Sequence, residues 1–581
     1  MKRLIFILSL FVSLSTFSQN LIDNQWQFKL GDSLVWKNLD YNASSWKTIK
    51  SGIAWEYQGY ANYDGYAWYR KTLIIPEQLK KEAFKNGGFN LNLGTIDDAD
   101  EIYFNGKLLG ATGKFPPNYV SAYDKIRDWN INPQDVQWGK ENVIAVRVFD
   151  ESGNGGIMGE NISLKMRGLE TGLSVKVLFP TENQVFVKSQ KLNFSVTLSN
   201  SSVIKLDSKV DFLLVDDFKD TVMVWNEPIK LLAGKSKTIK IDKPILKPGF
   251  YTLYVAIKSD LLNFNKSFAF GIDPEKIVSP TDIPSDFDNF WMRAKKELAA
   301  VDPQFKLIKK DSLCTAKRDV YLVEMRSLEN VLIRGWYARP KAAGKFPAIL
   351  HVQGYSSTQE MSSGYSGDDM AVLVLNVRGH GNSKDNINPG FPGYLQYSLK
   401  DREKYIYRGA YMDCLRAVDF LCSREEVDSR YIVVEGGSQG GALSFATAAL
   451  DNKRISLCIP AVPFLSDFPD YFKVAEWPAN EFTQFVSKNP DFGWDKVFET
   501  LRYFDIKNLA PWVKCPVLMS IGLKDTTCPP HINFAAYNQL KVPKEYVVYP
   551  ESGHGLPSEY MKAKVDWMKI ELGKLSAAKL K

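Results

Sequence analysis

Ser438 has the sequence context of a catalytic nucleophile. It lies in GGSQGG at 436–441, directly after an apolar run at 431–435 and before an apolar stretch with helical spacing. A GxSxG turn between a strand and a helix exposes the serine hydroxyl at the edge of a sheet. The alternative is a glycine-rich turn that holds an incidental serine. Because suitable partners follow along the chain, we predict that Ser438 is a nucleophile.

A serine nucleophile requires a base, usually a histidine that a carboxylate orients. The chain has four histidines, His351, His380, His531 and His554, and in this turn context the base follows the serine along the chain. His554 lies in a loop after the strand predicted at 546–549, where the sites of open parallel sheets are found. His531 follows two prolines at a predicted helix start, and its alternative role is that of a surface helix residue. The loop position favours His554 as the base.

The other parts of the predicted site are an acid and an oxyanion hole. Asp525 follows the strand predicted at 517–521, although an aspartate near a glycine is also common in solvated turns. The order serine, aspartate, histidine along the chain favours the catalytic role. An oxyanion hole needs backbone N–H groups aimed at the developing charge. We assign them to Gln439, which follows the nucleophile, and to Tyr355, in the loop after a strand predicted at 348–352.

The elements that must position these residues follow a proline-containing linker at 273–285. A helix is predicted to begin at Ser285, which has the capping-box distance to Asp288. Short apolar strands then alternate with helical stretches, which predicts a mainly parallel sheet covered by helices on both faces. The strands are predicted at 348–352, 371–376, 431–435, 457–461, 517–521 and 546–549.

Further motifs cover most of 285–575. They are YIYRG at 405–409, RAVDFL at 416–421, VPFL at 462–465 and the stretch from CPV at 515–517 to CPP at 528–530. Together with GGSQGG, they resemble the acetyl xylan esterase and cephalosporin C deacetylase family. The resemblance implies that 276–581 is an α/β-hydrolase domain. It also implies removal of acetyl groups from short acetylated xylo-oligosaccharides and cephalosporin C by a serine acyl-enzyme route, with no metal or organic cofactor.

The resemblance extends to single residues. The positions that match the family's triad and oxyanion donors are those assigned above, namely Ser438, Asp525, His554, Tyr355 and Gln439. Two positions depart from the family pattern: His380 stands where the family has glutamine, and Gly555 stands where it has glutamate. The family's usual hexameric assembly implies a homo-oligomer, which these departures and the preceding β-domains make less secure.

The first 275 residues predict two all-β domains. Residues 19–170 hold seven of the fourteen tryptophans, show the alternation of half-buried strands and contain Asn105-Gly106, a strong hairpin signal. The stretch at 97–113 resembles the galactose-binding-like jelly roll that precedes the catalytic domain in family-2 glycoside hydrolases. Residues 171–275 alternate in the same way, which suggests an immunoglobulin-like β-sandwich that acts as a spacer.

The amino-terminal segment and the composition indicate where the protein is located and which partners it lacks. Residues 1–18 have the three parts of a secretory signal peptide, and their apolar run is shorter than the ~20 residues of a spanning helix. We therefore expect a secreted or periplasmic protein without membrane insertion. The 73 basic and 66 acidic residues give +7, which lacks the basic excess of nucleic-acid-binding proteins. None of the six cysteines lies in a metal-ligand pattern, so no zinc site is expected.

These observations predict an exported three-domain serine carbohydrate esterase whose partner is an acetylated carbohydrate substrate. A serine exopeptidase is one alternative, because the same fold and triad cleave peptides in other families. The lack of a propeller-like repeat before the hydrolase domain speaks against it. A glycan-binding protein with a degenerate hydrolase domain is the non-enzymatic alternative.

The aromatic residues between Phe464 and Phe485 predict a small pocket for the acyl group. The alternative is that these rings pack in the core between helices.

Overall fold

The computed structural model describes residues 20–578 except 62, 124, 152–153, 160–161, 187–191, 203–204, 244–245, 260–261 and 362–368. The signal peptide predicted at 1–18 lies outside the described residues. Every helix within them is too short or too polar to cross a bilayer.

The first ten strands lie in the amino-terminal third of the chain. They are β1 (Gln25–Leu30), β2 (Lys47–Lys50), β3 (Gly65–Ile74), β4 (Phe89–Asp97), β5 (Ala99–Phe104), β6 (Lys107–Thr112), β7 (Ile126–Ile131), β8 (Glu141–Asp150), β9 (Gly156–Ile157) and β10 (Ser163–Met166). One sheet has the order β2-β1-β3-β8-β5-β6, and a second has the order β10-β4-β7 with β9 paired to β4. Asn105 and Gly106 form the turn between β5 and β6 at φ values of 49° and 81°, which confirms the predicted hairpin.

The next eight strands form a second pair of sheets. They are β11 (Leu173–Leu178), β12 (Val185–Phe186), β13 (Leu192–Asn200), β14 (Leu206–Asp216), β15 (Thr221–Leu231), β16 (Lys235–Lys243), β17 (Gly249–Ser259) and β18 (Leu262–Ile272). The sheet orders are β11-β13-β16 and β12-β18-β17-β14-β15. Phe194, Val196 and Leu198 of β13 are buried in the core between the sheets, as their alternation predicts.

The last nine strands form one sheet with the order β19-β20-β21-β23-β22-β24-β25-β26-β27. Their bounds are β19 (Lys306–Lys309), β20 (Arg318–Arg326), β21 (Leu332–Pro340), β22 (Phe346–Val352), β23 (Ala371–Asn376), β24 (Val427–Gly437), β25 (Ile455–Ala461), β26 (Val517–Gly522) and β27 (Lys544–Tyr549). The six strands from β22 to β27 pair in parallel, whereas β19, β20 and β21 form an antiparallel edge. Each of the six predicted strands is present, and the carboxyl ends of the parallel strands meet at one edge of the sheet.

Ten helices lie within the described residues. They are α1 (Lys80–Asn86), α2 (Phe287–Ala299), α3 (Ile406–Cys422), α4 (Gln439–Leu450), α5 (Phe468–Val474), α6 (Ala479–Lys488), α7 (Trp494–Leu501), α8 (Ile506–Leu509), α9 (Pro530–Tyr537) and α10 (Glu559–Ala578). Val434 of β24 faces the core that includes α3 and α4, while Val433 packs with Trp567 of α10. Helices therefore cover both faces of the sheet, as predicted.

The predicted start of α2 is wrong by about one residue, and its predicted capping box does not form. Asp286, not Ser285, precedes the first helical residue, and its side chain makes no capping hydrogen bond. The Asp286 carboxylate instead accepts hydrogen bonds from Tyr503 and from Arg402, the latter at 3.1 Å. A long-range contact between elements thus replaces the local cap that the spacing predicts.

The second pair of sheets and the nine-stranded sheet are joined through a shared apolar core. Phe250 of β17 belongs to the core of the nine-stranded sheet, and its ring centroid lies 5.6 Å from that of Phe534 in α9. The loop between β14 and β15 also contacts α9. There Asp217 Oδ2 lies 2.8 Å from His531 Nδ1, and the Phe218 ring packs edge-on against the imidazole.

His531 is therefore a buried residue, and the alternative that places it on the helix surface is wrong. Its Nε2 lies 3.3 Å from Asp470 Oδ2, so the imidazole lies between two carboxylates. Burial disfavours the charged form of His531, but Asp217 and Asp470 outweigh this effect and raise its pKa to about 9. The protonated histidine links the loop of the second β region to helices α5 and α9.

We predict that His531→Leu lowers the free energy of unfolding by about 3 kcal/mol, because the substitution leaves the largely buried Asp217 carboxylate without its cation partner. Since the folded-state pKa of His531 is raised above its ordinary value of 6.5, its stabilisation is complete below about pH 6.5 and is lost as the pH rises through about 9. Urea unfolding across this pH range measures both effects. Asp217→Asn, which keeps a hydrogen-bond acceptor, should give a smaller loss. Equal pH slopes in wild type and His531→Leu would contradict the assignment.

Candidate active site

The chain turns sharply between β24 and α4, at Ser438. The serine has φ 58° and ψ −120°, a left-handed conformation that costs a non-glycine residue about 1–3 kcal/mol. Two nearby glycines have no space for side chains: a Cβ on Gly436 would lie 2.5 Å from the Val352 carbonyl oxygen, and a Cβ on Gly440 would lie 2.3 Å from the same atom. Gly436 and Gly440 are therefore required by the close approach of β22. The turn between β24 and α4 confirms the strand-turn-helix context predicted for Ser438.

Asp525 and His554 form a hydrogen-bonded pair at the ends of β26 and β27. His554 Nδ1 lies 2.8 Å from Asp525 Oδ2. The other carboxylate oxygen accepts the backbone N–H groups of Thr527 and Cys528 at 2.8 and 2.9 Å. Because the carboxylate is fixed by its own loop, it holds the ring in the orientation that leaves Nε2 for a second partner. The half-buried His554 thus has the geometry of an oriented base.

The Ser438 hydroxyl lies near Cys528, whose backbone N–H donates to Asp525 and which the sequence analysis did not assign to the site. Ser438 Oγ is 3.9 Å from Cys528 Sγ. Within the described residues, Ser438 has no hydrogen bond to His554, a contact that in hydrolases often tightens only when substrate binds. Burial raises the pKa of the Cys528 thiol well above its ordinary value, so the thiol is an uncharged neighbour of the hydroxyl.

The predicted oxyanion donors belong to residues close to Ser438. Gln439 is the first residue of α4, and a backbone N–H at this position has no acceptor within its own helix. The loop after β22 runs beside Ser438, because a Cβ on Gly354 would lie 4.0 Å from Ser438 Cβ. The next residue, Tyr355, is anchored by its side chain, whose hydroxyl donates to both oxygens of Glu481 at 2.8 and 2.9 Å.

A buried polar network supports Gln439. Its side-chain amide donates to His380 Nε2 at 3.2 Å, and its amide oxygen accepts the Tyr407 hydroxyl at 2.7 Å. Burial lowers the pKa of His380 to about 3, so the ring is neutral and can accept at Nε2 while Nδ1 faces the Arg378 carbonyl oxygen. His380, which stands where the family has glutamine, therefore contacts the side chain of Gln439, the predicted oxyanion residue. The second departure, Gly555, borders open space.

A second buried group of charges lies near His554. Glu435 of β24 is 2.6 Å from Lys564 Nζ of α10 and 3.2 Å from His351 Nδ1. Burial opposes ionisation of Glu435, but Lys564 and His351 outweigh it and lower its pKa to about 2. These residues and His554 line a cavity of about 480 Å³ whose remaining walls are mainly apolar. No sequence pattern indicates this group, because its members lie on different elements without a shared spacing.

The aromatic residues between Phe464 and Phe485 divide into two groups. Most belong to the core, and Phe464, Phe468, Tyr471 and Phe482 are buried. Trp477 is exposed, and its ring centroid lies 5.8 Å from that of Tyr355. The prediction that these rings form an acyl pocket is thus replaced, for most of them, by the helix-core alternative.

The chain is similar to known esterases in sequence and in structure. The acetyl xylan esterase (AXE1) family matches residues 275–571. The acetyl esterase Axe7A of Xylanibacter ruminicola is 31% identical over 338 residues, which are 56% of this chain and 75% of that protein. The acylamino-acid-releasing enzyme of Rattus norvegicus is 30% identical over 246 residues, but the chain spans only 29% of that protein. A solved acetyl xylan esterase from Paenibacillus sp. R4 is 33% identical, with a TM-score of 0.49 over 51% of this chain and 98% of that one.

We predict that Ser438→Ala lowers the rate of aryl acetate hydrolysis by at least about a thousandfold, because removing the nucleophile of a triad costs about as much as removing all of it. Ser444→Ala is the matched control, since Ser444 lies in α4, directly after the Ser438 turn, and its hydroxyl donates to the Gly440 carbonyl. Initial rates and circular dichroism spectra are measured for both variants. A folded Ser438→Ala protein that retains more than about a tenth of the wild-type rate would contradict the assignment.

We also predict that His380→Leu lowers kcat about tenfold, because the buried Gln439 amide loses its acceptor beside the oxyanion hole. His380→Gln, which keeps an acceptor, should recover most of the rate. Tyr394→Phe is the control: the Tyr394 ring packs on His380, but within the described residues its buried hydroxyl has no hydrogen-bond partner. If His380→Leu and Tyr394→Phe have the same kcat, the network has no role in catalysis.

Proposed function

The chain belongs to the acetyl xylan esterase family, and from this membership we propose that it removes acetyl groups from plant polysaccharide fragments such as acetylated xylo-oligosaccharides. The chain is accordingly a serine carboxylic-ester hydrolase. The observation that carries the proposal is the hydrogen bond between Asp525 and His554 beside the strained turn at Ser438. This arrangement has the parts that acyl transfer from an ester requires.

In the proposed reaction, the Ser438 hydroxyl attacks the acetyl carbonyl while His554 takes its proton. The backbone N–H groups of Gln439 and Tyr355 stabilise the negative charge on the carbonyl oxygen. His554 then gives the proton to the departing sugar oxygen, and the acetyl group remains on the serine. Water, deprotonated by His554, attacks the acyl-enzyme, and His554 returns the proton to the Ser438 oxygen as acetate departs. Asp525 holds the imidazole and stabilises its protonated form throughout.

A serine exopeptidase is the second candidate. The similarity to the acylamino-acid-releasing enzyme supports it, because both reactions proceed through an acyl-enzyme. Against it, the part of the chain before the hydrolase sheet forms paired β-sheets in the described residues rather than a repeated propeller blade. The hydrogen-bonded Asp525–His554 pair speaks against the third reading, a non-catalytic glycan-binding protein.

The finer domain assignments are part of the proposal. We assign 19–170 to a galactose-binding-like jelly roll, 171–275 to an immunoglobulin-like β-sandwich and 276–581 to the α/β-hydrolase domain. The sheet orders and the separate apolar cores of the two β regions support these bounds. The signal peptide proposed at 1–18 implies a secreted or periplasmic enzyme. The proposed homo-oligomer rests on family resemblance.

We predict that acetate release from acetylated xylo-oligosaccharides is at least about tenfold faster than release of an acetylated amino acid from an N-acetyl peptide. The reason is that a sugar alcohol leaves more readily than an amine from the same tetrahedral intermediate. Acetylated pectin and mannan fragments, assayed at equal acetyl concentration, show whether xylan is preferred. Ser438→Ala serves as the blank. Faster cleavage of the peptide would favour the exopeptidase candidate instead.

A further inference from the structure

Trp477 differs from every other tryptophan in the chain. All fourteen lie within the described residues, and Trp477 alone is exposed, with 46% of its surface accessible. An indole is costly to leave in water, because burying its apolar surface is favourable. A ligand that covers an exposed indole near the proposed active site would therefore gain binding free energy from the contact.

The position of Trp477 relates it directly to the predicted oxyanion hole. Its ring packs on the Tyr355 ring at a centroid distance of 5.8 Å and an interplanar angle of 59°. Tyr355 follows Gly354, which approaches Ser438 closely enough that an added Cβ would lie 4.0 Å from Ser438 Cβ. An ester whose carbonyl lies against Ser438 and the Tyr355 N–H would therefore lie near this indole.

The segment that carries Trp477 is fixed at both ends. On one side, the Glu476 N–H donates to the Thr526 carbonyl at 3.4 Å, in the loop of Asp525. On the other side, Glu481 accepts the Tyr355 hydroxyl at 2.8 and 2.9 Å and the Gly393 N–H at 3.3 Å. The indole is thus held in one place, which lowers the entropic cost of binding a ligand.

The second β region adds a contact to the same segment. Lys219, in the loop between β14 and β15, lies 2.8 Å from Glu476 Oε1. Both side chains are largely exposed, so the ion pair contributes little energy by itself. The adjoining Asp217–His531 hydrogen bond fixes the loop more firmly. The β region therefore supports the segment that presents Trp477.

We propose that Trp477 binds the sugar ring that carries the acetyl ester, by stacking against the apolar face of that ring. This inference rests on the proposed carbohydrate esterase function and specifies how the site recognises its substrate. The negative face of the indole attracts the polarised C–H groups of a pyranose, and the contact also removes apolar surface from water. Trp477 is thus a specificity-determining residue that acts on the alcohol part of the ester, not on the acetyl group.

The test compares a sugar ester with an ester that has no ring. The ratio of kcat/KM for an acetylated xylo-oligosaccharide to kcat/KM for ethyl acetate is measured in wild type, Trp477→Leu and Trp477→Phe. Because Leu packs on Tyr355 but has no aromatic face, the ratio should fall about 5- to 10-fold in Trp477→Leu. Phe keeps a flat ring and should retain most of the ratio. Tyr123→Ala, which removes an exposed aromatic residue from the loop between β6 and β7, is the matched control and should leave the ratio unchanged.

Each outcome supports or overturns the inference. A ratio that falls in Trp477→Leu but not in Trp477→Phe or Tyr123→Ala supports sugar stacking. Parallel losses on both substrates in Trp477→Leu, with an unchanged ratio, show that the side chain only supports Tyr355 and overturn the inference while the esterase function stands. Equal falls in the Leu and Phe variants also overturn it. A wild-type protein that hydrolyses ethyl acetate but not the sugar ester overturns the proposed function, and this inference with it.

Discussion

The strained backbone at Ser438 is the constraint on which the rest of the site depends. A left-handed serine between β24 and α4 persists only because Gly436 and Gly440 let the turn approach the Val352 carbonyl closely. That approach fixes three things together: the hydroxyl at the edge of the sheet, the N–H of Gln439 at a helix start, and the loop of Tyr355 beside them. The packing of β24 against β22 thus determines where the proposed nucleophile and the proposed oxyanion donors lie.

Buried hydrogen bonds then orient the groups around this turn. Asp525 is held by N–H groups of its own loop and in turn orients His554. Gln439 is held between His380 and Tyr407, and burial keeps His380 neutral, so it accepts rather than donates at Nε2. Since unpaired polar groups in such surroundings are costly, each network specifies one arrangement. The proposed catalytic groups are thus held in place by hydrogen bonds with Asp525, His380 and Tyr407.

Much of the catalytic region could be predicted from the sequence, because its signals are local. Apolar strands with helices between them predicted the parallel sheet, and the carboxyl ends of those strands brought Asp525 and His554 together. Contacts between distant elements left no such pattern. Cys528 beside Ser438, and Asp217 against His531 across 314 positions of sequence, follow from tertiary packing that no spacing records. Aromatic composition likewise could not separate the buried Phe468 from the exposed Trp477, since burial depends on neighbouring helices.

The central claim is that Ser438 is the nucleophile through which the chain hydrolyses acetyl esters. Labelling with a fluorophosphonate, followed by peptide mass spectrometry, tests it most directly, because the reagent bonds covalently to an activated serine. The account predicts one phosphonyl group per chain, located on Ser438, with loss of acetate release in proportion to labelling. A label on another residue, or full activity in a protein whose Ser438 is completely labelled, would contradict it.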